Sequence, residues 1–314
     1  MKKIIALLLA AVFLLSLAAC GGANQGGSGS SSESTDAPET TAEPKIADET
    51  AVMNMSFSAP EKYSTVQRYI QKDTEGKVAE IDITYVLDDG AKIIYAYSFD
   101  GGITEDQLSG RDTVEIAGKT FYTIESGKTL AAITLDGSST YALSYDFASE
   151  EDVNKAAFDK LGEGIEFTDN TEYTDNNDEM SGIKYKTDGI GNLVSLHNTT
   201  EETPEGDLVT KQLSWYFGED AKNIDYRFFI KLNKNKTVED VKEADKEYTE
   251  VTINDITYSA VVADEGKKPY DYLVQRGDDV YQIHNSGKSG WIGVTRTEES
   301  EAAFETFINS ISFE

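Results

Sequence analysis

Histidine, the side chain that most often serves as a general base near neutral pH, occurs only twice in the 314 residues, at His197 and His284. Neither has a second histidine near it at the spacing of metal ligands. A Ser/His/Asp triad is defined by geometry and not by sequence order, but the chain has no G-x-S-x-G nucleophile elbow. Both histidines are therefore interpreted as loop or strand-surface residues, and no catalytic or metal-ligating residue is predicted.

Two glycine-containing segments resemble nucleotide-binding motifs. The Gly-Lys-Ser run at 287–289 ends like a phosphate-binding loop, but Gln282 stands where that motif needs its first glycine. The stretch from Asn285 to Gly290 is predicted to be a long hairpin turn with Lys288 exposed in it. The Gly-Ile-Gly-Asn run at 189–192 is likewise predicted to be a turn, and no cofactor is expected.

Acidic residues are frequent enough to raise the question of calcium, which binds carboxylate and carbonyl oxygens. The candidates are Asp88-Asp89, Glu219-Asp220 and the segment 175–179. None of them follows the EF-hand spacing, and hairpin turns carry Asp for backbone reasons. Solvated turn residues are therefore predicted in preference to calcium ligands.

Aromatic residues are common, with 17 tyrosines, 13 phenylalanines and two tryptophans. Most stand at alternating positions of predicted strands, where packing of a core explains them. Tyr270 and Tyr272, which follow Pro269 in a predicted turn, fit that explanation least well. Tyr270 and Tyr272 are therefore candidate contacts to a ligand or partner, such as a sugar of the cell wall.

The overall composition excludes several classes of protein. The chain has 57 acidic against 28 basic residues and a net charge of −29, which excludes nucleic acid as a partner. A hydrophobic fraction of 39% is enough for globular cores. The single cysteine, Cys20, excludes a disulfide framework and a cysteine-rich metal site.

The N-terminus has the pattern of an export signal. Two lysines precede an apolar run from Ile4 to Leu15, which is shorter than the roughly 20 residues of a membrane span. The small residues that follow end in Leu17-Ala18-Ala19-Cys20, which resembles the lipobox of bacterial lipoproteins. The resemblance implies a signal peptide at 1–19, a diacylglyceryl lipid on Cys20 as the membrane anchor, and a place on the extracytoplasmic face of the cell membrane, as in Gram-positive surface lipoproteins.

The rest of the chain divides by composition and by an internal repeat. Residues 20–50 are rich in Gly, Ser and Thr and are predicted to be a flexible tether behind the lipidated cysteine. Beyond them, similar residues recur in the same order, aligning 75–99 with 205–229 and 156–158 with 302–304. We predict two tandem copies of one domain, at 51–168 and 182–314. The acidic segment 169–181 is predicted to be the linker between them.

Within each copy the pattern predicts strands and a few helices. Apolar and polar residues alternate on both sides of Asp88-Asp89-Gly90, which indicates a β-hairpin. Capping hydroxyls followed by helix formers predict helices from Thr104 to Leu108 and from Thr237 to Ala244. Amphipathic helices are predicted at 152–161 and 298–308, each followed by a short final strand. The predicted class is α+β, an antiparallel sheet with packed helices.

The predicted order of elements in each copy is opening strand (57–60), hairpin, helix, meander, helix and final strand. This order resembles the Mog1/PsbP-like fold, which occurs in many exported bacterial lipoproteins. The resemblance covers each copy. It implies no particular activity, because the members share none.

Three functional hypotheses follow. The first is a non-enzymatic, membrane-anchored surface lipoprotein that binds or scaffolds an envelope protein or a cell-wall component. The second is a receptor for a solute or for the cell wall, which needs a concave pocket. The third and least favoured is a carboxylate-dependent envelope hydrolase, since the separation that defines a glycosidase pair is visible only in a structure.

We expect Cys20→Ala to abolish lipid attachment, because the thiol is the atom that carries the diacylglyceryl group. The variant should lose incorporation of labelled fatty acid and leave the membrane fraction. Ser28→Ala, a substitution in the predicted tether, should change neither. Full labelling of Cys20→Ala would contradict the lipoprotein prediction.

Overall fold

In the computed structural model of the chain, the described residues are 45–46, 50–168, 173–174, 178–220, 223–262, 268–290 and 293–314. Cys20, the predicted signal peptide and nearly all of the predicted tether lie outside these ranges. Most of the predicted linker also lies outside them.

One large antiparallel sheet dominates the fold, which is mostly β. Its strands are β1 (Thr65–Lys72), β2 (Val78–Val86), β3 (Lys92–Phe99), β4 (Thr113–Ile116), β5 (Lys119–Ser126), β6 (Thr129–Asp136), β7 (Ser139–Asp146), β8 (Leu193–Glu202), β9 (Leu208–Asp220), β10 (Asn223–Asn233), β11 (Tyr248–Ile253), β12 (Ile256–Val261), β13 (Asp271–Arg276), β14 (Asp279–Gly290) and β15 (Gly293–Thr295). From edge to edge the order is β11-β12-β13-β14-β10-β9-β8-β1-β2-β3-β7-β6-β5-β4, and β15 pairs with β14.

The strand order is the same when it is followed outwards from the centre in either direction. Strands β1 to β7 make one half of the sheet, and β8 to β14 make the other in the same sequence. The halves meet where β1 and β8 pair through seven residue pairs, with Tyr69 opposite Thr199. Two tandem copies predict this symmetry, while the division into domains at 51–168 and 182–314 stays a prediction.

Four helices and several two-residue strands complete the described fold. The helices are α1 (Glu105–Leu108), α2 (Lys155–Glu163), α3 (Val238–Val241) and α4 (Glu298–Asn309), with a 3-10 turn at Glu150–Asp152. Met55–Ser56 pairs with Glu166–Phe167 and with Ala51–Val52, Ile183–Lys184 pairs with Ser312–Phe313, and Lys45–Ile46 pairs with Tyr173–Thr174. In each half, a segment near its start is thus tied to its end.

The sheet has two different faces because successive side chains of a strand point in opposite directions. On one, the helix face, two apolar cores lie side by side, one in each half. In the second half, Phe304 and Phe307 of α4 pack on Phe228 of β10, with ring centres 5.1 and 5.6 Å apart. The opposite face, called the polar face below, carries Glu80 and Asp82 of β2. It continues across β1, β8, β9 and β10 to β14.

Helix α4 begins at a capping box formed by Thr297 and Ser300. The Thr297 hydroxyl accepts a hydrogen bond from the Ser300 backbone N–H at 3.1 Å, and the Ser300 hydroxyl accepts one from the Thr297 N–H at 3.0 Å. This reciprocal arrangement satisfies two donors at the helix start. It fixes α4 over the second core, next to the pocket described below.

The predicted α+β class is too rich in helix. Helices α1 and α3 are single turns, and α3 ends at Val241, because Lys242 already has an extended ψ of 136°. The opening strand is Met55–Ser56, not 57–60. Phe57 instead stacks its ring on Tyr95 in the first core, at a centroid distance of 3.7 Å.

One further prediction was wrong, and two strands were missed. Strand β14 continues to Gly290, so the segment from Asn285 is strand and not a long turn. The central strands β1 and β8 were not predicted at all. Their sequences lack clear alternation because polar side chains such as Gln71, Lys72 and Asn198 are buried at the junction of the halves.

The end of the predicted linker is held at this junction on two lysines. Lys72 Nζ pairs with the Asp178 carboxylate at 2.8 Å, and Lys211 Nζ donates to the Glu179 carbonyl at 2.6 Å. Met180, within the predicted linker, is 4% exposed and belongs to the second core. The packed structure of the second half therefore begins before residue 182.

We expect Phe228→Ala to lower the free energy of unfolding by about 3–5 kcal/mol, because it empties the centre of the second core. Denaturant titration measures the loss. Phe229→Ala is the matched control, since the next residue of β10 lies on the polar face and is partly exposed. Equal losses for the two variants would contradict the assignment of the faces.

Candidate functional site

A pocket of about 120 Å³ lies between α4 and the outer strands of the second half. Its apolar lining residues are Ile253, Pro269, Tyr272, Phe304 and Ile308, and its polar ones are Lys268, Asn285, Arg296, Glu301, Glu305 and Asn309. A volume of this size holds several waters or one small organic group. An apolar pocket with a few charged groups is the usual form of a small-ligand site.

Arg296 is the distinctive charge of the pocket. Its guanidinium carbon lies 4.2 Å from the centre of the Tyr270 ring, and its Nη1 donates to the Lys268 carbonyl at 3.4 Å. Lys268 is paired with the Glu305 carboxylate, whereas Arg296 has no ion pair in the described part of the chain. The guanidinium is thus held in place by an aromatic ring and remains available to an anion.

The structure places both sequence-predicted tyrosines at this pocket in different roles. Tyr272 is 6% exposed, forms part of the wall and packs on Tyr258 and Phe304. Burial raises the pKa of its hydroxyl to about 12, with a smaller contribution from the Glu305 charge. Tyr270 is half-buried under Arg296 and also meets His284 edge-on. Their contact with a ligand stays a prediction.

Sequence reasoning missed Arg296, although a signal was present. The alignment of 156–158 with 302–304 places Glu150 of the first half opposite Arg296 of the second. A reversal of charge between equivalent positions, in a chain with few basic residues, marks a place where the halves differ in chemistry.

On the polar face, both histidines lie in one row of cross-strand partners, called the central row. It consists of Glu80, Gln71, His197, Ser214, Phe229, His284 and Asp271, on seven adjacent strands. His197 is 6% exposed, so its interpretation as a loop or strand-surface residue was wrong. His284 lies on β14, where its Nδ1 is 3.0 Å from a carboxylate oxygen of the fully buried Asp271.

His197 has the contacts of a catalytic dyad without its chemistry. Its Nε2 lies 3.1 Å from Ser195 Oγ, and its Nδ1 lies 2.7 Å from the Tyr69 hydroxyl. Burial, and then the nearby charge of Arg227, lowers the pKa of His197 to about 3, far from the range of an effective general base. Ser195 is itself 3% exposed, so substrate has no access to it. The group instead ties β1 to β8.

Arg227 completes this network. Its Nη1 donates to the Tyr216 hydroxyl at 3.1 Å and its Nη2 to Ser286 Oγ at 2.9 Å. The Tyr216 ring stacks on His197 at 3.9 Å. The guanidinium is therefore occupied by neutral partners that link β9, β10 and β14.

A pair of acids, Glu80 and Asp82, lies on the same face in the first half. Burial, reinforced by the charge of Asp82, raises the pKa of Glu80 to about 9. Burial also raises the pKa of Asp82, to about 7. Glu80 is 1% exposed, and its Oε2 has no hydrogen-bond partner. At neutral pH Glu80 is thus held in its protonated form.

The acidic turns considered for calcium have structural partners. Asp89 accepts a hydrogen bond from the Ala91 N–H, Asp88 from the Ser64 hydroxyl, and Asp220 from the Asn223 N–H, each at 2.9 Å. The described residues contain no group of three His, Cys, Asp or Glu side chains placed to hold a metal ion. They also contain no helix long and apolar enough to cross a membrane.

Comparison with known proteins gave distant structural matches. No family model and no curated protein matches the chain. Two complexes of MucB with MucA, one of them from Pseudomonas aeruginosa, have 10% identity and TM-scores of 0.17, covering 80% of this chain and 93% of theirs. The Pseudomonas aeruginosa T6SS immunity protein TplEi, complexed with a peptide, has 9% identity and a TM-score of 0.22, covering 83% and 95%. TM-scores this low do not establish a common fold, so function has to be argued from the site itself.

We expect Glu80→Gln to stabilise the protein at pH 8. The pKa of Glu80 is raised on folding from 4.5 to about 9, so the native state binds the extra proton. The wild type therefore loses stability as pH rises from about 5 to 9, at up to about 1.4 kcal/mol per pH unit. The difference in unfolding free energy between variant and wild type should grow with pH by a few kcal/mol. Chemical denaturation at pH 5, 6.5 and 8 measures it, and a constant difference would contradict the burial of the carboxyl group.

Proposed function

We propose that this protein is a non-enzymatic binding protein, anchored to the extracytoplasmic face of the membrane through Cys20, with a receptor site for a small carboxylate in its second half. The observation that carries the proposal is Arg296, a guanidinium fixed on the Tyr270 ring at a pocket, with no ion pair in the described part of the chain.

The charge of Arg296 selects the ligand class. Among the described residues, Arg296 is the arginine that lines the pocket, and no ion pair occupies it there. A guanidinium binds a carboxylate through two parallel hydrogen bonds, which supplies orientation as well as energy. The pocket volume of about 120 Å³ limits the bound group to a small organic acid or the last residue of a short peptide.

The neighbouring charges favour a ligand that also carries an amino group. Glu301 lines the same pocket, and the Lys268–Glu305 ion pair lies beside it. Ile253, Phe304 and Ile308 provide apolar contact for a short side chain. An amino acid or a dipeptide meets these three conditions together. The receptor hypothesis is thereby favoured over a scaffold without a ligand.

The absence of enzymatic activity is part of the proposal. It is supported by the burial of Ser195 and His197 and by the low pKa of that histidine. The lipid anchor is supported by the lipobox resemblance, which ends at Cys20. The tether of residues 20–50 then gives the binding site reach from the membrane.

We further propose that the sheet consists of two tandem copies, with Mog1/PsbP-like architecture in each. The symmetric strand order supports the duplication. In the first half, the C-terminal helix approaches its edge strand closely, because a Cβ on Gly162 of α2 would lie only 3.1 Å from the Ile116 side chain. The position opposite Arg296 holds Glu150. The receptor site is therefore proposed for the second copy alone.

We expect L-alanine, L-alanyl-L-alanine or acetate to raise the melting temperature of the full chain in detergent by several degrees. Ligand at a hundred times its dissociation constant stabilises by about 2.7 kcal/mol. Arg296→Gln should weaken binding at least tenfold, because the carboxylate loses its charged partner. The shift in melting temperature should therefore disappear in this variant.

Arg276→Gln is the matched control, because Arg276 also stacks on an aromatic ring, that of Phe313 at 4.4 Å, but does not line the pocket. It should leave the shift unchanged. A shift that survives in Arg296→Gln, or the lack of any shift with all three probes, would overturn the assignment of the pocket.

A further inference from the structure

A second cluster, in the other half of the sheet and independent of the Arg296 pocket, has the features of a cation site. Glu80 and Asp82 stand two residues apart on β2, both on the polar face. Across the strands, Glu80 lies opposite Gln71 and Ser98, and Asp82 lies opposite Tyr69 and Ala96.

Two buried oxygens of this cluster have no hydrogen-bond partner. They are Glu80 Oε2 and Ser98 Oγ, on side chains that are 1% and 3% exposed. Gly101 packs closely on Ser98, since a Cβ there would stand 2.8 Å from Ser98 Oγ. An unpartnered buried polar atom is destabilising, so a group that bonds to both oxygens is favoured.

The sheet itself does not require acids at these positions. The two halves are related by a symmetry whose centre is the pair Tyr69–Thr199. By this symmetry, Thr210 of β9 is equivalent to Glu80, and Gln212 of β9 is equivalent to Asp82. Neutral side chains serve the same place in the same fold. The acids of the first half therefore have a role other than strand pairing.

We propose that Glu80, Asp82 and Ser98 bind a primary alkylammonium group. An ammonium group donates three hydrogen bonds, and the cluster offers three acceptors: Glu80 Oε2, Ser98 Oγ and the Asp82 carboxylate. Glu80 accepts through Oε2 when its carboxyl group is ionised, so the proton that the acid pair holds at neutral pH is released when the ammonium binds. A divalent metal would need more ligands than these, and no third acidic or imidazole ligand joins them among the described residues.

The surroundings provide access and a place for the alkyl stem. Asp82, Tyr69 and Ala96 are partly exposed, so the site opens towards solvent at the Asp82 end. Ala142, paired with Ala96 on the next strand, and the apolar cluster around Ile133 continue the same face. Ala96, which is partly exposed, is the apolar side chain that the alkyl stem would contact first.

Among the described residues, no other ionisable group on this part of the face donates a hydrogen bond to Glu80 Oε2 or Ser98 Oγ. Tyr69 is bonded to His197 and Gln71, and burial raises its pKa well above the ordinary value. His197 is neutral at physiological pH. Arg227 is occupied by Tyr216 and Ser286. From β3, only Ala96 and Ser98 face the pair.

The test is calorimetric titration of the full chain in detergent with n-butylammonium at pH 6, 7 and 8. Binding should strengthen by up to tenfold per pH unit, because the acid pair releases up to one proton to solvent when the ammonium enters. The released proton should appear as a dependence of the measured heat on the ionisation enthalpy of the buffer. Tetramethylammonium, which has no N–H donors, should bind at least tenfold more weakly.

Glu80→Gln and Ser98→Ala should each weaken n-butylammonium binding at least tenfold at pH 8, and the variants are expected to fold. Glu250→Gln, at an exposed acid of β11, is the control and should bind as the wild type does. Three results would overturn the proposal: no binding at any of the three pH values, equal affinity in Glu80→Gln, or tighter binding of calcium than of n-butylammonium.

Discussion

The pairing of β1 with β8 is the interaction on which the rest of the structure depends. Each half contributes seven strands, and each half has an edge at its first strand that would expose unpaired N–H and C=O groups. Pairing these two edges through seven residue pairs turns two half-sheets into one. It also places the two apolar cores side by side on the same face.

The same pairing explains why the centre of the sheet is polar. At the junction, β1 and β8 lie between the two cores. Val66 and Ile70 of β1 belong to the first core, but several other side chains of these strands are polar and buried. Polar groups there are satisfied by specific bonds, as in the chain from Ser195 through His197 to Tyr69. On the helix face, Lys72 and Lys211 anchor the segment that leads into the second half. Hydrogen bonds and ion pairs thus stabilise the centre of the sheet, and apolar packing stabilises the parts on either side.

Two charged groups are the proposed ligand contacts. Arg296 is a cation held by an aromatic ring at a pocket, and Glu80 is a buried acid with an unpartnered oxygen. The equivalent positions of the other half hold Glu150 and Thr210. Burial of the Glu80 carboxyl group without a partner reduces stability, which is the behaviour expected of a group retained for binding. In the functions that we propose, one half of the symmetric sheet binds an anion and the other binds a cation.

The sequence by itself determined the local elements. Alternation on either side of Asp88-Asp89-Gly90 predicted the β2–β3 hairpin, and amphipathic spacing predicted a helix at 298–308, where α4 lies. These features depend on neighbouring residues, so a single sequence contains them. The sequence also contained the repeat, but the alignment matched the residues of β3 and β10 incorrectly. It paired Ile94 with Ile224. In the structure, Ile93 pairs with Tyr85 and Phe228 pairs with the equivalent residue Trp215, so Ile93 is equivalent to Phe228.

Only the tertiary structure decided which polar residues are buried and what they meet. Strands β1 and β8 resemble surface segments in sequence, because burial at the junction favours hydrogen-bonding side chains over apolar ones. The approach of Arg296 to Tyr270, and of Ser98 to Glu80, joins residues from separate elements. Such contacts depend on strand order and register, which arise from pairings between segments far apart in the chain. For this reason both candidate sites became visible only in the folded protein.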